Sequence, residues 1–182
     1  GNIRHPKPNL DTLGLFARSV ADLALLRAVS HGKSAPEPVD LPDGARPRIG
    51  ICRTPGWDGA LPPTVAALET AAKVLAEAGA VVSDVTLPEY LTEIEADMPI
   101  ISGIEGSRAL ATEARDHLDT FNPWSRARYE ESLDVSEERY QEALANTAKG
   151  RVLLNETFAD YDVFITPSIP GEAPQDLVSV HP

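Results

Sequence analysis

The alternation of apolar and polar residues first predicts an amphipathic helix near the start of the sequence, within PNLDTLGLFARSVADLALL (residues 8–26). Ser19 is a suitable N-cap, and Asp22 follows it at the spacing of a capping box. Apolar residues recur at helical spacing from Val20 to Val29, and Gly32 ends the pattern. Because the apolar face is wide, we expect this helix to be buried on more than one side.

The following segment has the pattern of a strand, a helix and a second strand. Ile49 and Ile51 alternate with small residues, and Pro55 ends the run. A helical stripe predicts a helix over residues 63–78, and strand composition returns over residues 80–88. The short connections between these elements predict two parallel strands joined by a right-handed crossover.

The second half of the sequence is mainly helical in pattern. Residues 89–119 predict helix that is broken or kinked near Pro99 and Gly103. The segment NPWSRARYEESL (residues 122–133) predicts a short helix or a turn.

A long helix with an acidic first turn is predicted from Ser136 to about Ala159. Its apolar stripe consists of Tyr140, Leu144, Ala148, Val152 and Phe158. The continuous apolar run Val163–Ile165 then predicts a strand that is covered on both faces.

These elements together predict an α/β fold, with a mainly parallel or mixed sheet packed with helices. The length of 182 residues suits one domain, which we assign to residues 1–182. The pattern shows only three strands, which offer too little sheet for so many apolar helix faces. We therefore expect further strands of the same fold to lie outside this sequence.

The charge of the chain argues against two classes of partner. Sixteen Lys and Arg residues against 28 Asp and Glu residues give a formal net charge of −12. A chain of this charge repels phosphate backbones, so neither nucleic acid nor an anionic membrane is an expected partner. The apolar runs are also too short to cross a bilayer.

The cysteine and histidine content predicts neither a disulfide nor a metal site. Cys52 is the one cysteine, which is typical of a reducing, cytoplasmic location, and its place in a strand pattern predicts a buried, inert thiol. The four histidines are scattered without ligand spacing. The turn TPGWDG (residues 54–59) matches no nucleotide-binding pattern, so no cofactor is expected.

Two end motifs resemble those of the amidase signature family. LDTLGLFARSVADLALL (residues 10–26) is similar to the segment that follows the catalytic core in that family, and YDVFITPSIPGEAP (residues 161–174) is similar to a later strand and loop. Two shorter motifs agree in order and spacing: the helix IEGSRALA from Ile104, and Tyr140 with Ala143 as Tyr-x-x-Ala. The resemblance covers essentially the whole chain.

The resemblance implies an α/β/α sandwich and hydrolysis of a carboxamide C–N bond in a small-molecule amide substrate. Members of the family use a serine nucleophile, a second serine in a cis peptide, a lysine, and backbone N–H groups of a glycine-rich run. A serine hydroxyl needs a neighbouring base, and the oxyanion needs donors that are fixed in advance. The family places all of these residues before the Leu-Asp-Thr turn.

None of these catalytic motifs occurs in this sequence, and the family's C-terminal strands are not found either. We therefore expect a middle or C-terminal segment of a longer amidase, with no catalytic residue of its own. As given, this truncated chain is predicted to be inactive alone and to support part of a substrate pocket.

Two groups of residues are candidates for supporting that pocket. Asp11 and Thr12 belong to the turn that borders the nucleophile loop in the family, although Asp11 also suits a purely local role in fixing the turn. Thr166, Pro167 and Ser168 are expected to end a central strand, at the edge where ligands of α/β sheets gather, and plain loop packing is the alternative there.

The sequence is also compatible with other functions. A non-catalytic scaffold or partner-binding subunit would associate with a partner, or form a homodimer, through exposed apolar surface. A segment of an amidotransferase A-type subunit or of an allophanate hydrolase is a further alternative within the same family.

Overall fold

The computed structural model of the chain describes residues 7–36 and 40–172. The helices in this part of the chain are α1 (Val20–Ser30), α2 (Pro62–Glu77), α3 (Tyr90–Glu93), α4 (Met98–Ala109), α5 (Ala111–His117), α6 (Pro123–Leu133) and α7 (Glu137–Phe158). The strands are β1 (Arg48–Cys52), β2 (Val81–Val85) and β3 (Val163–Ile165). Single 3-10 turns occupy Pro55–Gly59, Ile94–Asp97 and Leu118–Thr120.

The chain divides into two compact units. The helical unit consists of Gly1–Ala45 and Met98–Gln141, and the sheet unit consists of Arg46–Asp97 and Glu142–Pro182. The α/β fold class is confirmed, while the assignment of residues 1–182 to one domain stays a prediction. Within the described ranges, every helix is too short or too polar to span a membrane.

The sheet unit is organised around β1, which is the central strand. β2 and β3 both run parallel to it on its two sides, as the sequence predicts for β1 and β2. The pairing with β2 extends from Arg48 opposite Val81 to Cys52 opposite Val85. β3 pairs with β1 over Ile49–Ile51 and, contrary to the prediction of a central strand before Thr166, lies at the edge of the sheet in the described residues. Hydrogen bonds on both edges therefore fix β1 more firmly than either neighbour.

The apolar core of the sheet unit joins β1 to α2. Ile49 and Ile51 are buried together with Leu68, which lies on the predicted inner stripe of the helix. Partly buried side chains complete this cluster: Trp57, Ala72, Leu75, Ala80, Val82 and Ile165. After α2, Gly79 takes a φ of 97°, which a residue with a Cβ rarely adopts, so the chain can turn back into β2.

The opposite face of β1 is crowded by aromatic side chains at Gly50. A Cβ at this position would lie 2.4 Å from Val85 Cγ2 and 2.7 Å from Phe164 Cδ1. Phe164 in turn packs against Phe158 and Tyr161, with ring centroids 4.3 and 5.1 Å away. Glycine is thus required here because neighbouring side chains occupy the space above the strand.

The helical unit is packed around α4, whose Ile101 is completely buried. The predicted break at Gly103 is wrong, since this residue lies within α4. A Cβ there would stand 3.3 Å from the Ser132 Cβ of α6, so glycine permits a close approach of the two helices. Pro99 occupies the first turn of α4, where a proline is tolerated, and the 3-10 turn Ile94–Asp97 gives way to α-helix just before it.

α1 has the predicted cap, but its predicted burial is wrong. The Ser19 hydroxyl accepts a hydrogen bond from the Asp22 backbone N–H at 3.1 Å, as expected for an N-cap. Ala28 is buried, whereas the larger apolar residues Val20 and Val29 are exposed. Capping and spacing are local properties that form a helix, while burial requires a packed neighbour over the apolar face.

Two other predictions of burial are only partly correct. Val163 of β3 is 43% exposed, so this strand is not covered on both faces along its whole length. In α7, Tyr140 is buried as predicted, but Val152 is exposed and the buried side also includes Ala143 and Gly150. Small residues permit close packing, and a stripe drawn through the large apolar residues overlooks them.

Candidate functional site

The polar turn that precedes α1 is closed by its own hydrogen bonds. The Lys7 backbone N–H donates to Asp11 Oδ2 at 3.1 Å, and the Asp11 backbone N–H donates to the Lys7 carbonyl at 2.7 Å. Asp11 is half-buried, and the next residue, Thr12, is exposed. The Asp11 carboxylate therefore fixes the turn in the way that Asx side chains do.

Glu105 of α4 holds the same turn from the other side. This carboxylate is 3% exposed and accepts hydrogen bonds from the Asn9 backbone N–H at 3.1 Å and from the Tyr140 hydroxyl at 2.9 Å. The Asn9 side-chain amide also donates to Glu105. Three donors compensate the buried carboxylate for the loss of water. Glu105 thus links the turn to α4 and to the start of α7.

Tyr140 is a dependable donor in this group. Burial raises the pKa of Tyr140, and its hydrogen bond to the Glu105 carboxylate raises that pKa further, so the hydroxyl stays protonated at neutral pH. The Arg108 guanidinium lies over the ring, 4.7 Å from its centroid, and pairs with Glu137. We refer to Asn9, Glu105 and Tyr140 as the Glu105 triad.

Periodicity alone did not reveal this triad. Asn9 is 96 positions from Glu105 in the sequence, and Tyr140 is 35 positions from it. The one signal was the family resemblance, which singled out the Glu-Gly-Ser helix and the Tyr-x-x-Ala motif as separate matches. The structure shows that the glutamate and the tyrosine of these motifs contact each other.

In the sheet unit, Thr166, Pro167 and Ser168 follow β3 at its carboxyl end. β1 is the parallel neighbour of β3, so the loop after β1 leaves from the same edge of the sheet. Pro167 and Ser168 line a hollow of about 120 Å³ together with Thr54 and Trp57. Thr166 is exposed and is not among the residues that line this hollow.

The two loops at this edge are joined by a backbone hydrogen bond. The Leu61 N–H donates to the Pro170 carbonyl at 2.7 Å. The structure thus brings Pro167 and Ser168 into one hollow of the sheet unit, and it places Asp11 and Thr12 in one turn of the helical unit. The roles of these residues in a substrate pocket stay predictions.

Several serine hydroxyls of the described residues donate hydrogen bonds to backbone carbonyls three or four residues earlier. Ser107 donates to the Ile104 carbonyl at 2.9 Å, and Ser132 donates to the Tyr129 carbonyl at 2.6 Å, as is common for hydroxyls within helices. The hydrogen bonds seen for serine hydroxyls in residues 7–36 and 40–172 all run to backbone groups, and none of them joins a serine to a lysine or histidine side chain. The same residues contain no group of three or more His, Cys, Asp or Glu side chains placed to hold a metal ion.

Cys52 lies at the end of β1 and is buried, which confirms its predicted environment. Burial raises the pKa of its thiol. A thiol with a raised pKa is mostly protonated at neutral pH and is a poor nucleophile.

The chain is similar to known proteins over most of its length. A family model described as Amidase matches residues 5–179. Among curated proteins, 2-amino-5-chloromuconic acid deaminase from Comamonas testosteroni is 32% identical, and the match covers 92% of this chain and 37% of that protein.

Solved structures give the same picture of the fold. One described as "Crystal structure of amidase" has a TM-score of 0.73 at 23% identity, covering 86% of this chain and 35% of the other. Another is an inhibitor-bound structure from work on a vestigial protein complex and the evolutionary origins of an s-triazine catabolic enzyme. It has a TM-score of 0.68 at 26% identity and covers 87% of this chain and 36% of the other. The chain therefore spans little more than a third of the length of these proteins.

Proposed function

The chain belongs to the amidase family, and on that premise we propose that it takes part in the hydrolysis of a carboxamide C–N bond. The observation that supports this most directly is the family match over residues 5–179, which includes the turn at Asp11 and the loop at Ser168. We assign the protein to the cytoplasm in the same proposal, because a single buried cysteine suits a reducing compartment.

The contribution of this chain is to support the substrate pocket, while the nucleophile comes from sequence other than these 182 residues. The hydrogen bonds seen for the described serine hydroxyls run to backbone groups and not to a lysine or histidine base, and without a base a serine hydroxyl is a weak nucleophile. In the helical unit, Asp11 and Thr12 are the supporting candidates, on a turn that the Glu105 triad holds in place. In the sheet unit, Thr166, Pro167 and Ser168 are the supporting candidates, and of these Pro167 and Ser168 line the hollow at the sheet edge.

The relatives suggest which substrates to test first. The 32% identical relative is named for the deamination of 2-amino-5-chloromuconic acid. Small unsaturated acids that carry nitrogen therefore belong in the assay beside aryl and alkyl carboxamides.

The first test measures ammonia release from these compounds by the 182-residue chain alone. We expect no turnover above the buffer background. Turnover that disappears when an internal serine such as Ser168 is replaced with Ala would contradict the assignment of the nucleophile to other sequence.

The second test asks whether the segment supports catalysis within a complete enzyme. Residues 5–179 replace the matching part of 2-amino-5-chloromuconic acid deaminase, and folding of the chimera is verified by circular dichroism. We expect activity, with kcat/KM about tenfold lower after Asp11→Asn or Ser168→Ala, since small displacements of positioning groups are costly. Asp43→Asn and Ser34→Ala are exposed controls. A folded, active chimera that tolerates both site substitutions would refute the pocket role.

A partner-binding role without catalysis is the second candidate. It is favoured by the apolar residues that α1 and the preceding segment expose, among them Phe16 at 93%, Val20 and Val29. Multi-angle light scattering of the chain tests this role. Association that increases with concentration, and that Phe16→Ser and Val20→Ser abolish, would support a partner-binding surface here. A monomer at all concentrations argues against self-association through this face.

A further inference from the structure

The helical unit contains a second pocket, to which the turn at residues 7–12 contributes only Lys7. It lies between the N-terminal turn, α4 and α6, and its volume is about 150 Å³. A cavity of about this volume accommodates a benzene ring. Gly103 and Gly106 of α4 contribute no side chains to it, which leaves the space open.

Two positive charges line this pocket and no acidic residue does. Lys7 lies across α4, since a Cβ at Gly106 would be 3.6 Å from Lys7 Cε. Arg128 of α6 lines the pocket from a neighbouring helix. Neither side chain forms an ion pair with any carboxylate of the described residues. This is notable in a chain whose net charge is −12.

The remaining walls are flat and largely apolar. Trp124 faces Arg128, whose Cζ lies 5.8 Å from the indole ring centroid. Leu110 and Tyr129 add further apolar surface, and the small side chains of Ser102, Ser107 and Ser125 complete the lining. The Tyr129 ring is held in an edge-to-face contact with Phe121, at 6.3 Å between centroids. Aromatic walls of this kind favour a planar apolar ligand.

We propose that this pocket binds a small aryl carboxylate, whose charge is neutralised by Lys7 and Arg128 and whose ring packs against Trp124 and Tyr129. Ion pairs that are partly shielded from water favour a carboxylate over a neutral group of the same shape. The pocket volume limits the ligand to one ring with short substituents. This inference does not depend on the proposed hydrolysis, because binding is measured without turnover.

Trp124 provides a direct readout of binding with benzoate as the probe. The chain has two tryptophans, and Trp57→Phe leaves Trp124 as the single indole. In that background we expect saturable quenching by benzoate that weakens as salt is added. Benzyl alcohol, which has a similar shape and no charge, should bind at least about fivefold more weakly.

The positive charges are then removed one at a time. Arg128→Gln and Lys7→Gln should each weaken benzoate binding about fivefold, because each removes one partner of the carboxylate. Arg126→Gln is the matched control, since Arg126 lies on the same helix, pairs with Glu130 and does not line the pocket. Circular dichroism verifies that every variant is folded.

The result that would overturn the proposal is equally definite. Non-saturable quenching, equal binding of benzoate and benzyl alcohol, or wild-type benzoate affinity in both Arg128→Gln and Lys7→Gln would each show that the pocket has no carboxylate site.

Discussion

β1 and the turn at residues 7–12 are held in place in two different ways. β1 is fixed by hydrogen bonds to strands on both sides and by apolar burial on one face and aromatic crowding on the other. The turn is fixed by two carboxylates, one within it at Asp11 and one below it at Glu105. The stability of β1 depends on side-chain packing, whereas the stability of the turn depends on a few hydrogen bonds to carboxylates. We therefore expect different substitutions to destabilise the two regions.

The largest effect is expected from Gly50→Ala in β1. The new methyl group would lie 2.4 Å from Val85 Cγ2 and 2.9 Å from Tyr161 Cδ1, so strands or rings must shift. We expect the free energy of unfolding to fall by about 3 kcal/mol, measured by urea denaturation. Gly59→Ala is the control, because no atom lies within 4 Å of a Cβ there. Equal stabilities of the two variants would show that β1 tolerates added volume.

Glu105→Gln should have the next largest effect, because it removes the charge and keeps the shape. The new amide would place N–H donors against the donors of Asn9 and Tyr140. We expect a loss of about 2 kcal/mol in the free energy of unfolding, together with faster amide exchange at Asn9. Glu138→Gln, at an exposed position of α7, should change stability by less than about 0.5 kcal/mol.

Ser19→Ala tests a polar contact that is exposed rather than buried. The substitution removes the hydroxyl that accepts the Asp22 N–H at the start of α1. We expect a loss of about 1 kcal/mol, seen most clearly as faster hydrogen exchange in the first turn of α1. Ser19→Asp should restore protection, since an aspartate also caps a helix. If exchange in α1 does not change in Ser19→Ala, the cap contributes nothing.

The smallest effect is expected at Asp162, where β1 also has a polar contact. The Arg48 side chain and then its backbone N–H lower the pKa of Asp162, with a backbone bond of 2.7 Å. A lowered pKa in the folded state adds stability above the ordinary pKa of an aspartate, and that stability is lost as the pH falls through the folded value.

Urea midpoints measured from neutral to acidic pH will test this contribution. Asp162→Asn should be slightly less stable than the wild type at neutral pH, and the two curves should converge in acid. A constant difference at every pH would mean that the carboxylate charge is not involved. Asp43→Asn, on an exposed loop, provides the baseline.

The sequence predicted what is local in this fold. The cap at Ser19, the parallel pairing of β1 and β2 and the end of α2 at Gly79 follow from short-range chemistry. The sequence did not predict the exposure of Val20 or the continuity of α4 through Gly103. Both depend on which helix or strand packs against these residues in the fold.

The same distinction applies to the candidate site. The sequence located Asp11 and Ser168 by motif, and the structure shows a turn at the first and a hollow at the second. The contact of Glu105 with Asn9 and Tyr140 joins residues far apart in the chain, and no periodic pattern encodes such a contact. The pocket between Lys7 and Arg128 is likewise formed by residues that are far apart in the sequence.

The buried thiol at the end of β1 is a native probe of local unfolding. Cys52 is the single cysteine and is shielded from solvent, so an alkylating reagent reaches it only when the central strand opens. The rate of labelling therefore reports how often the sheet opens, without any engineered probe. Substitutions elsewhere in the chain can be ranked by how much they raise the rate of Cys52 labelling.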